Sequence, residues 1–242
     1  MATEPSGTKT ALLGPTPTGT AYGQVPWAVF VLTALCYAEN MKTAAKLYLS
    51  SLRVPDSEAL LSLFKKDTKR TVAIITTAWN VAPPEKSKPF ITATTAQFKQ
   101  LDFIYEYIDL TQYANKKEEL RAKLSAFSAI WVCGGNTFYL NYWMHKSGFD
   151  HIITDLLANG IVYGGESAGA VVAGKTLHGI ELLDDPNEAQ EVIWEGLGLV
   201  DFSILPHWQR EKYSDRLEQS HEEMQQFSIV KTLRDDQFYT AQ

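Results

Sequence analysis

The chain has 242 residues, of which 45% are hydrophobic and 12% aromatic, and this apolar content excludes a chain that is disordered throughout. The 22 Lys and Arg residues are outnumbered by 28 Asp and Glu residues and are scattered in short pairs, so we expect no nucleic-acid or membrane partner. Cys36 and Cys133 are the only cysteines, which predicts no disulfide framework, no metal site and a reducing, cytoplasmic location.

The first forty residues differ in composition from the rest. Residues 1–24 are rich in Thr, Gly, Pro and Ser and lack hydrophobic periodicity, which is typical of a leader that contributes little to a core. The stretch Val25–Ala38 is apolar and has the length of a signal-peptide core, but Lys9 is the only basic residue before it. We therefore expect an extension over residues 1–40 and one α/β domain over residues 41–242.

From residue 45 onward, apolar and β-branched runs alternate with stretches of helical character. The predicted strands are Leu47–Ser50, Thr71–Thr77, Phe103–Leu110, Ala129–Cys133, Ile161–Tyr163 and Phe202–Leu205. Helices are predicted over Glu58–Lys66, over Lys116–Phe127 and from Asn136 to Gly160, whereas Ala82–Pro89 is predicted as a loop beside the sheet. This βαβ alternation predicts a mostly parallel sheet covered by helices.

A glycine-flanked serine lies between a predicted strand and a predicted helix. Gly165-Glu166-Ser167-Ala168-Gly169 matches the G-x-S-x-G pattern of a nucleophile elbow, with Ile161–Tyr163 before it and a helical run after it. The glycines remove side chains that would collide in so tight a turn. A Gly-rich turn whose serine only caps a helix is the alternative.

A nucleophilic serine needs a base, and His207 is the histidine that the sequence favours. It follows the apolar strand Phe202–Leu205 and Pro206, which predicts a position at a strand's carboxyl end, where open α/β sheets bind ligands. The other four histidines lie in stretches typical of solvated or boundary positions.

Two further elements complete the candidate site. A carboxylate that orients His207 could come from the pair Asp184 and Asp185 or from the pair Asp235 and Asp236, and each pair is equally compatible with a solvated turn. A second glycine loop, Gly134-Gly135-Asn136-Thr137, follows the strand Ala129–Cys133 and could present backbone N–H groups to a substrate carbonyl; its alternative is a plain helix cap by Asn136.

Three segments in this order resemble those of peptidase family S51, which includes aspartyl dipeptidase (dipeptidase E) and cyanophycinase. They are Cys133–Phe138 (CGGNTF), Gly165–Ala170 (GESAGA) and Gly196–His207 (GLGLVDFSILPH). The resemblance runs from about Met41 to the C-terminus. It implies a class I glutamine amidotransferase-like fold, three layers with a flavodoxin-like core, and a metal-free and cofactor-free hydrolase, a serine protease of short peptides.

The resemblance also implies roles for individual residues. Ser167 would be the nucleophile and His207 the general base of a catalytic triad, with Asp185 as the acid and Asp184 or Asp235 as the alternatives. The N–H groups of Gly134, Gly135 and Ala168, with Asn136 beside them, would bind the oxyanion and the substrate.

The substrate implied by the resemblance is a short peptide, typically a dipeptide with an acidic N-terminal residue. Tyr213 stands where the dipeptidase branch has a basic residue for the acidic side chain, although Arg210 and Arg216 lie nearby. Two other functions stay open: an α/β-hydrolase-type esterase, and a non-catalytic ligand-binding relative that keeps the elbow. A homodimer is compatible with these expectations.

Overall fold

The computed structural model describes residues 45–242, with the side chain of Tyr213 excepted. The leader predicted for residues 1–40 and the apolar stretch Val25–Ala38 lie outside the described residues. Within the described part, the strands are β1 (Leu47–Ser50), β2 (Thr71–Ile75), β3 (Ile104–Ile108), β4 (Ala129–Val132), β5 (Val162–Glu166), β6 (Ser203–Leu205), β7 (Val230–Thr232) and β8 (Phe238–Ala241).

Helices connect most of these strands. In chain order they are α1 (Ser57–Ser62), α2 (Pro84–Gln100), α3 (Lys117–Leu124), α4 (Thr137–Ser147), α5 (Phe149–Ala158), α6 (Ala168–Val171) and α7 (Ser214–Gln225). Short 3-10 turns, including Pro186–Glu188 and Glu211–Tyr213, lie between them. The helix predicted over Glu58–Lys66 is the shorter α1, which Asp56 caps by accepting a hydrogen bond from the N–H of Ala59.

The main sheet has six strands in the order β3-β2-β4-β5-β1-β8. Every neighbouring pair is parallel except β1 and β8, which are antiparallel. This arrangement confirms the prediction of an α/β fold with a mostly parallel sheet. The predicted strand at Phe202–Leu205 does not join it, because β6 pairs with β7 in a separate two-stranded sheet.

Helices cover both faces of the main sheet, because side chains alternate between the faces along each strand. Leu47 and Leu49 of β1 belong to the apolar cluster that packs against α3, α4 and α5. Tyr48, between them, belongs to a second cluster with side chains of α1 and α2. The predicted three-layer arrangement therefore follows from this alternation.

Two predicted elements differ from the structure. The loop predicted over Ala82–Pro89 is mostly the first turns of α2. Pro84 is tolerated at the first position, where a backbone N–H has no intrahelical partner, and Pro89 lies inside the helix. The helix predicted from Asn136 to Gly160 is two helices, α4 and α5. They separate at Gly148, whose φ of 77° is the left-handed conformation that ends a helix.

Within the described residues, no helix combines the length and the apolar character that crossing a bilayer requires.

Candidate active site

Three neighbouring strands of the main sheet end at the candidate site. The strands β4, β5 and β1 lie side by side and run parallel, so the residues that follow them meet at one edge of the sheet. These residues are Gly134 after β4, Ser167 after β5 and Ser51 after β1. The antiparallel strand β8 begins at the same edge, which brings the turn before it, with Asp235, to the site.

The backbone of Ser167 is held in a strained conformation between β5 and α6. Its φ of 52° and ψ of −117° lie outside the regions that most non-glycine residues adopt. The flanking glycines are required by close contacts: a Cβ on Gly165 would lie 2.2 Å from the carbonyl oxygen of Gly169, and a Cβ on Gly169 would lie 2.2 Å from that of Val132. The tight turn predicted at this motif is therefore present.

The hydroxyl of Ser167 lies 3.0 Å from Nε2 of His207, a distance that allows proton transfer between them. His207 follows β6 in the separate two-stranded sheet, and its φ is 62°. The N–H of the next residue, Trp208, donates to the carbonyl oxygen of Leu233, which ties this turn to the segment before β8.

The other ring nitrogen of His207 contacts Asp235. Nδ1 lies 2.6 Å from Oδ1 of the carboxylate. Because an ionised carboxylate only accepts hydrogen bonds, Nδ1 carries the proton and Nε2 is left to accept from Ser167. Ser167, His207 and Asp235 thus form one continuous chain of hydrogen bonds.

The structure does not bring Asp185 to His207. Its carboxylate accepts hydrogen bonds from the backbone and side-chain nitrogens of Asn187 and so caps the turn Pro186–Glu188. Asp184 lies closer but turns to α4, where one of its oxygens accepts from both the N–H and the hydroxyl of Thr137. Burial raises the pKa of Asp184, and this effect outweighs the hydrogen bonds from Thr137 and the charge of His207.

Several groups act on the Asp235 carboxylate. Burial raises its pKa, but the hydrogen bond and charge of His207, the hydrogen bond from Ser51 and the charge of Arg210 outweigh burial, so the pKa lies below its ordinary value. Arg210 forms an ion pair of 3.0 Å with the second carboxylate oxygen. Asp235 is therefore held in its ionised form.

Ser51 is a site residue that sequence reasoning missed. Its hydroxyl donates to Oδ1 of Asp235 at 3.0 Å and accepts from the backbone N–H of His207 at 2.8 Å. The available signal was a pair of small hydroxyl residues, Ser50 and Ser51, at the carboxyl end of the first strand.

The glycine loop after β4 packs directly against Ser167. A Cβ on Gly134 would lie 2.9 Å from Cβ of Ser167, and a Cβ on Gly135 would lie 2.4 Å from the carbonyl oxygen of Ala78. Within residues 45–242, none of the backbone hydrogen bonds outside helices and strands uses the N–H of Gly134, Gly135 or Ala168 as donor. Gly134 and Gly135 also border the cavity beside Ser167.

The side chain of Asn136 has a structural role. Its Oδ1 accepts from the N–H of Tyr139 and caps α4, and its Nδ2 donates to the carbonyl oxygen of Asp185. Asn136 therefore caps α4 and also borders the cavity beside Ser167.

A cavity of about 450 Å³ opens beside Ser167 and His207. Trp79 and Phe90, whose rings stack 5.0 Å apart, lie in its apolar wall. The charged side chains at the cavity are those of Arg53, Glu166, Asp184, Arg210 and Arg216. The volume and the mixture of apolar and charged groups are typical of a small-molecule or short-peptide site.

Glu166, the residue before Ser167, is buried, with 6% of its surface exposed. Its two carboxylate oxygens accept from the hydroxyl of Thr94 at 2.7 Å and from the backbone N–H of Arg53 at 2.6 Å. Burial raises its pKa, and the hydrogen bonds from Thr94 and from the backbone of Arg53, together with the charge of Arg53, reduce this rise without reversing it. The elbow motif contains Glu166, but sequence reasoning gave it no role.

No cluster of three or more His, Cys, Asp or Glu side chains that could hold a metal ion occurs within the part of the chain that the structure describes. Cys133, at the end of β4, is buried beside Glu166, and burial raises the pKa of its thiol.

Comparison with known proteins shows which family the chain belongs to. The sequence pattern of peptidase family S51 matches residues 49–241, which contain every site residue described above. The chain belongs to peptidase family S51. It is 32% identical over 147 residues to an uncharacterized peptidase of Listeria monocytogenes, covering 60% of this chain and 69% of that protein.

Other relatives are more distant or match over shorter stretches. An uncharacterized peptidase of Pasteurella multocida is 27% identical over 164 residues, which are 67% of this chain and 77% of that protein. A peptidase E of Nostoc is 34% identical over 107 residues, which are 44% of this chain and 41% of that protein. The chain thus matches less than half the length of this named peptidase E.

Solved structures share the fold. A candidate peptidase E from Listeria monocytogenes EGD-e superposes with a TM-score of 0.69 and 25% identity, covering 82% of this chain and 98% of that one. A peptidase from an acI-B1 actinobacterium gives a TM-score of 0.60 at 17% identity, covering 79% of this chain and 81% of that one, and supports the fold alone.

Proposed function

We propose that this S51 family member is a serine-type peptidase that hydrolyses short peptides through an acyl-enzyme. The observation that carries the proposal is the chain of hydrogen bonds from Ser167 through His207 to Asp235, with distances of 3.0 Å and 2.6 Å. A serine hydroxyl is a weak nucleophile unless a base accepts its proton, and this geometry supplies the base and a group that orients it.

In the proposed mechanism, Oγ of Ser167 attacks the scissile carbonyl while Nε2 of His207 accepts its proton. The ionised Asp235 holds the imidazole in the required tautomer and stabilises the imidazolium that forms. The free N–H groups of Gly134, Gly135 and Ala168 bind the developing oxyanion. His207 then protonates the leaving amine, and water attacks the ester by the same route in reverse.

The proposed substrates are dipeptides, including those with an acidic N-terminal residue, as the family resemblance implies. A cavity of about 450 Å³ accommodates a ligand of this size. Three arginines and two carboxyl groups, those of Glu166 and Asp184, border the cavity. The cationic side chains outnumber the acidic ones, which favours a substrate that carries negative charge. The expected cytoplasmic location belongs to this proposal.

The direct test is a peptide panel containing Asp-Leu, Glu-Leu and Ala-Leu, assayed with the wild-type protein, Ser167→Ala and Ser125→Ala. Ser125 is an exposed serine whose hydroxyl donates to the carbonyl oxygen of Arg121, so its removal controls for mutagenesis and folding. We expect turnover by the wild type and by Ser125→Ala, and a loss of at least about 1,000-fold in Ser167→Ala.

Two results would redirect the proposal. Cleavage of simple esters without cleavage of any peptide would favour the esterase alternative. Absence of all turnover, together with no labelling of Ser167 by a fluorophosphonate in folded protein, would favour the non-catalytic ligand-binding alternative. Turnover that persists in Ser167→Ala would contradict the nucleophile assignment.

A further inference from the structure

Arg53 lies on the loop after β1 and borders the cavity beside Ser167. Its φ of 52° is in the left-handed region, which arginine rarely adopts. Residues kept in such conformations occur mainly where surrounding contacts force them, and they are frequent at ligand sites. The conformation of Arg53 therefore indicates that surrounding contacts hold this residue in place beside the cavity.

The backbone of Arg53 is fixed from both sides. Its N–H donates to Oε2 of Glu166 at 2.6 Å, and its carbonyl oxygen accepts from the hydroxyl of Ser50. Glu166 directly precedes Ser167, and Ser50 accepts the N–H of Ser167 through its own carbonyl oxygen. The position of Arg53 is thus tied by two short connections to the nucleophile turn.

The guanidinium group of Arg53 is not committed to a carboxylate within residues 45–242. None of the ion pairs there includes Arg53, and its buried Nε has no hydrogen-bond partner. Arg210, in contrast, is paired with Asp235. Because a guanidinium also carries two terminal nitrogens with N–H donors, these can donate to a ligand in the cavity that Arg53 borders.

We propose that the guanidinium of Arg53 binds a carboxylate of the peptide substrate and so helps to determine specificity. This inference rests on the proposed peptidase function. A guanidinium presents donors in a planar fork that matches a carboxylate, and such charge-assisted hydrogen bonds are stronger than neutral ones. Two carboxylates of a dipeptide have this chemistry: an acidic side chain and the C-terminal carboxylate.

A structural role for Arg53 makes a different prediction. Its positive charge also acts on the buried Glu166. However, both oxygens of Glu166 already accept hydrogen bonds from the hydroxyl of Thr94 and the backbone N–H of Arg53. If charge balance with Glu166 were the whole role, loss of the guanidinium would impair every substrate equally, whatever its charge.

The test uses two pairs of peptides that differ by one carboxylate: Asp-Leu with Asn-Leu, and Ala-Leu with its C-terminal amide. We compare the wild type, Arg53→Met, Arg53→Lys and Arg70→Met. Met keeps an unbranched stem about as long as the aliphatic part of Arg and has the same Cβ in the left-handed backbone, so the substitution removes mainly the guanidinium. Arg70 is the control, because it donates to the carbonyl oxygen of Leu101 and does not border the cavity.

If Arg53 binds the acidic side chain, Arg53→Met lowers kcat/KM for Asp-Leu by about 10- to 100-fold and changes the other three peptides by less than about threefold. If it binds the C-terminal carboxylate, all peptides except the amide lose activity by that factor. Arg53→Lys retains part of the effect, since it keeps the charge without the fork. An equal loss for all four peptides, or no loss, overturns the inference.

A binding measurement separates this inference from the proposed function. Ser167→Ala is titrated with the same four peptides by calorimetry, with and without Arg53→Met. We expect the carboxylate-bearing member of one pair to bind about 10- to 100-fold more tightly, and Arg53→Met to abolish the difference. Failure of the wild type to cleave any peptide contradicts the proposed function, whereas equal affinity within both pairs, or no binding, contradicts the role of Arg53.

Discussion

The hydroxyl of Ser51 accepts a hydrogen bond from the backbone N–H of His207 across 2.8 Å, although the two residues are 156 positions apart in the sequence. The same hydroxyl donates to Asp235 at 3.0 Å. One side chain at the end of β1 therefore fixes both the backbone that carries the imidazole and the carboxylate that orients it. Ser51 is a positioning residue in the proposed mechanism.

Replacement of Ser51 by Ala should lower kcat by about 10- to 100-fold and change KM by less than about threefold, because the imidazole loses orientation while the cavity is unchanged. The N–H of His207 loses its partner as well, which costs about 1–3 kcal/mol of stability. Steady-state kinetics and urea unfolding measure the two effects. Ser125→Ala is the control, and an unchanged kcat in Ser51→Ala would show that Ser51 does not position the imidazole.

Asp235→Asn should lower kcat/KM by about 100- to 10,000-fold, because an amide can stabilise the wrong histidine tautomer and cannot stabilise the imidazolium. Asp185→Asn is the matched control. The Asp185 carboxylate caps the turn Pro186–Glu188, so its loss should change kcat/KM by less than about threefold. The reverse order of effects in the peptide assay would return the acid role to Asp185.

Gly135→Ala should reduce kcat by at least about 100-fold, because the new Cβ would lie 2.4 Å from the carbonyl oxygen of Ala78 and displace the N–H groups of the glycine loop. Gly160→Ala is the control, because it introduces the strain of a positive φ without a steric clash. Gly160 has a φ of 88° with no atom within 4 Å of an added Cβ, so that variant loses about 1–2 kcal/mol of stability and keeps its activity. Equal activities of the two variants would contradict an oxyanion role for the loop.

Glu166 predicts a specific pH dependence of stability. Since burial raises its folded pKa above the ordinary 4.5, the stability linked to its protonated form is fully present below about pH 4.5 and is lost as the pH rises through the folded pKa. Glu166→Gln removes this loss. The variant should therefore gain stability relative to wild type, measured as a larger free energy of unfolding, from about pH 4 to about pH 8.

Urea unfolding at several pH values measures this difference. Glu119→Gln, which changes a carboxylate that is largely exposed and weakly paired, should show a difference that stays constant within about 0.5 kcal/mol. A difference for Glu166→Gln that is equally independent of pH would mean that Glu166 does not titrate differently in the folded and unfolded states.

Local patterns were sufficient to predict much of the fold. The strands β1, β2, β4 and β5 lie within two residues of their predicted ends, except that β5 continues through Glu166. Their runs are apolar because both faces of the sheet are buried, so the signal is strong. The break at Gly148 and the helix beginning at Pro84 were missed, because glycine and proline at these positions are compatible with several backbone conformations.

Short-range patterns are enough to predict the α/β class, the glycine-flanked turn at Ser167 and the candidate pair of Ser167 and His207, because residue type and spacing within a short segment define these features. The carboxylate that meets His207 follows instead from the tertiary fold, which also brings Ser51 and Arg53 to the site. Those contacts depend on the order of strands in the sheet and on the antiparallel return of β8 along β1. Four aspartates in two acidic turns look alike in sequence, and long-range packing distinguishes them.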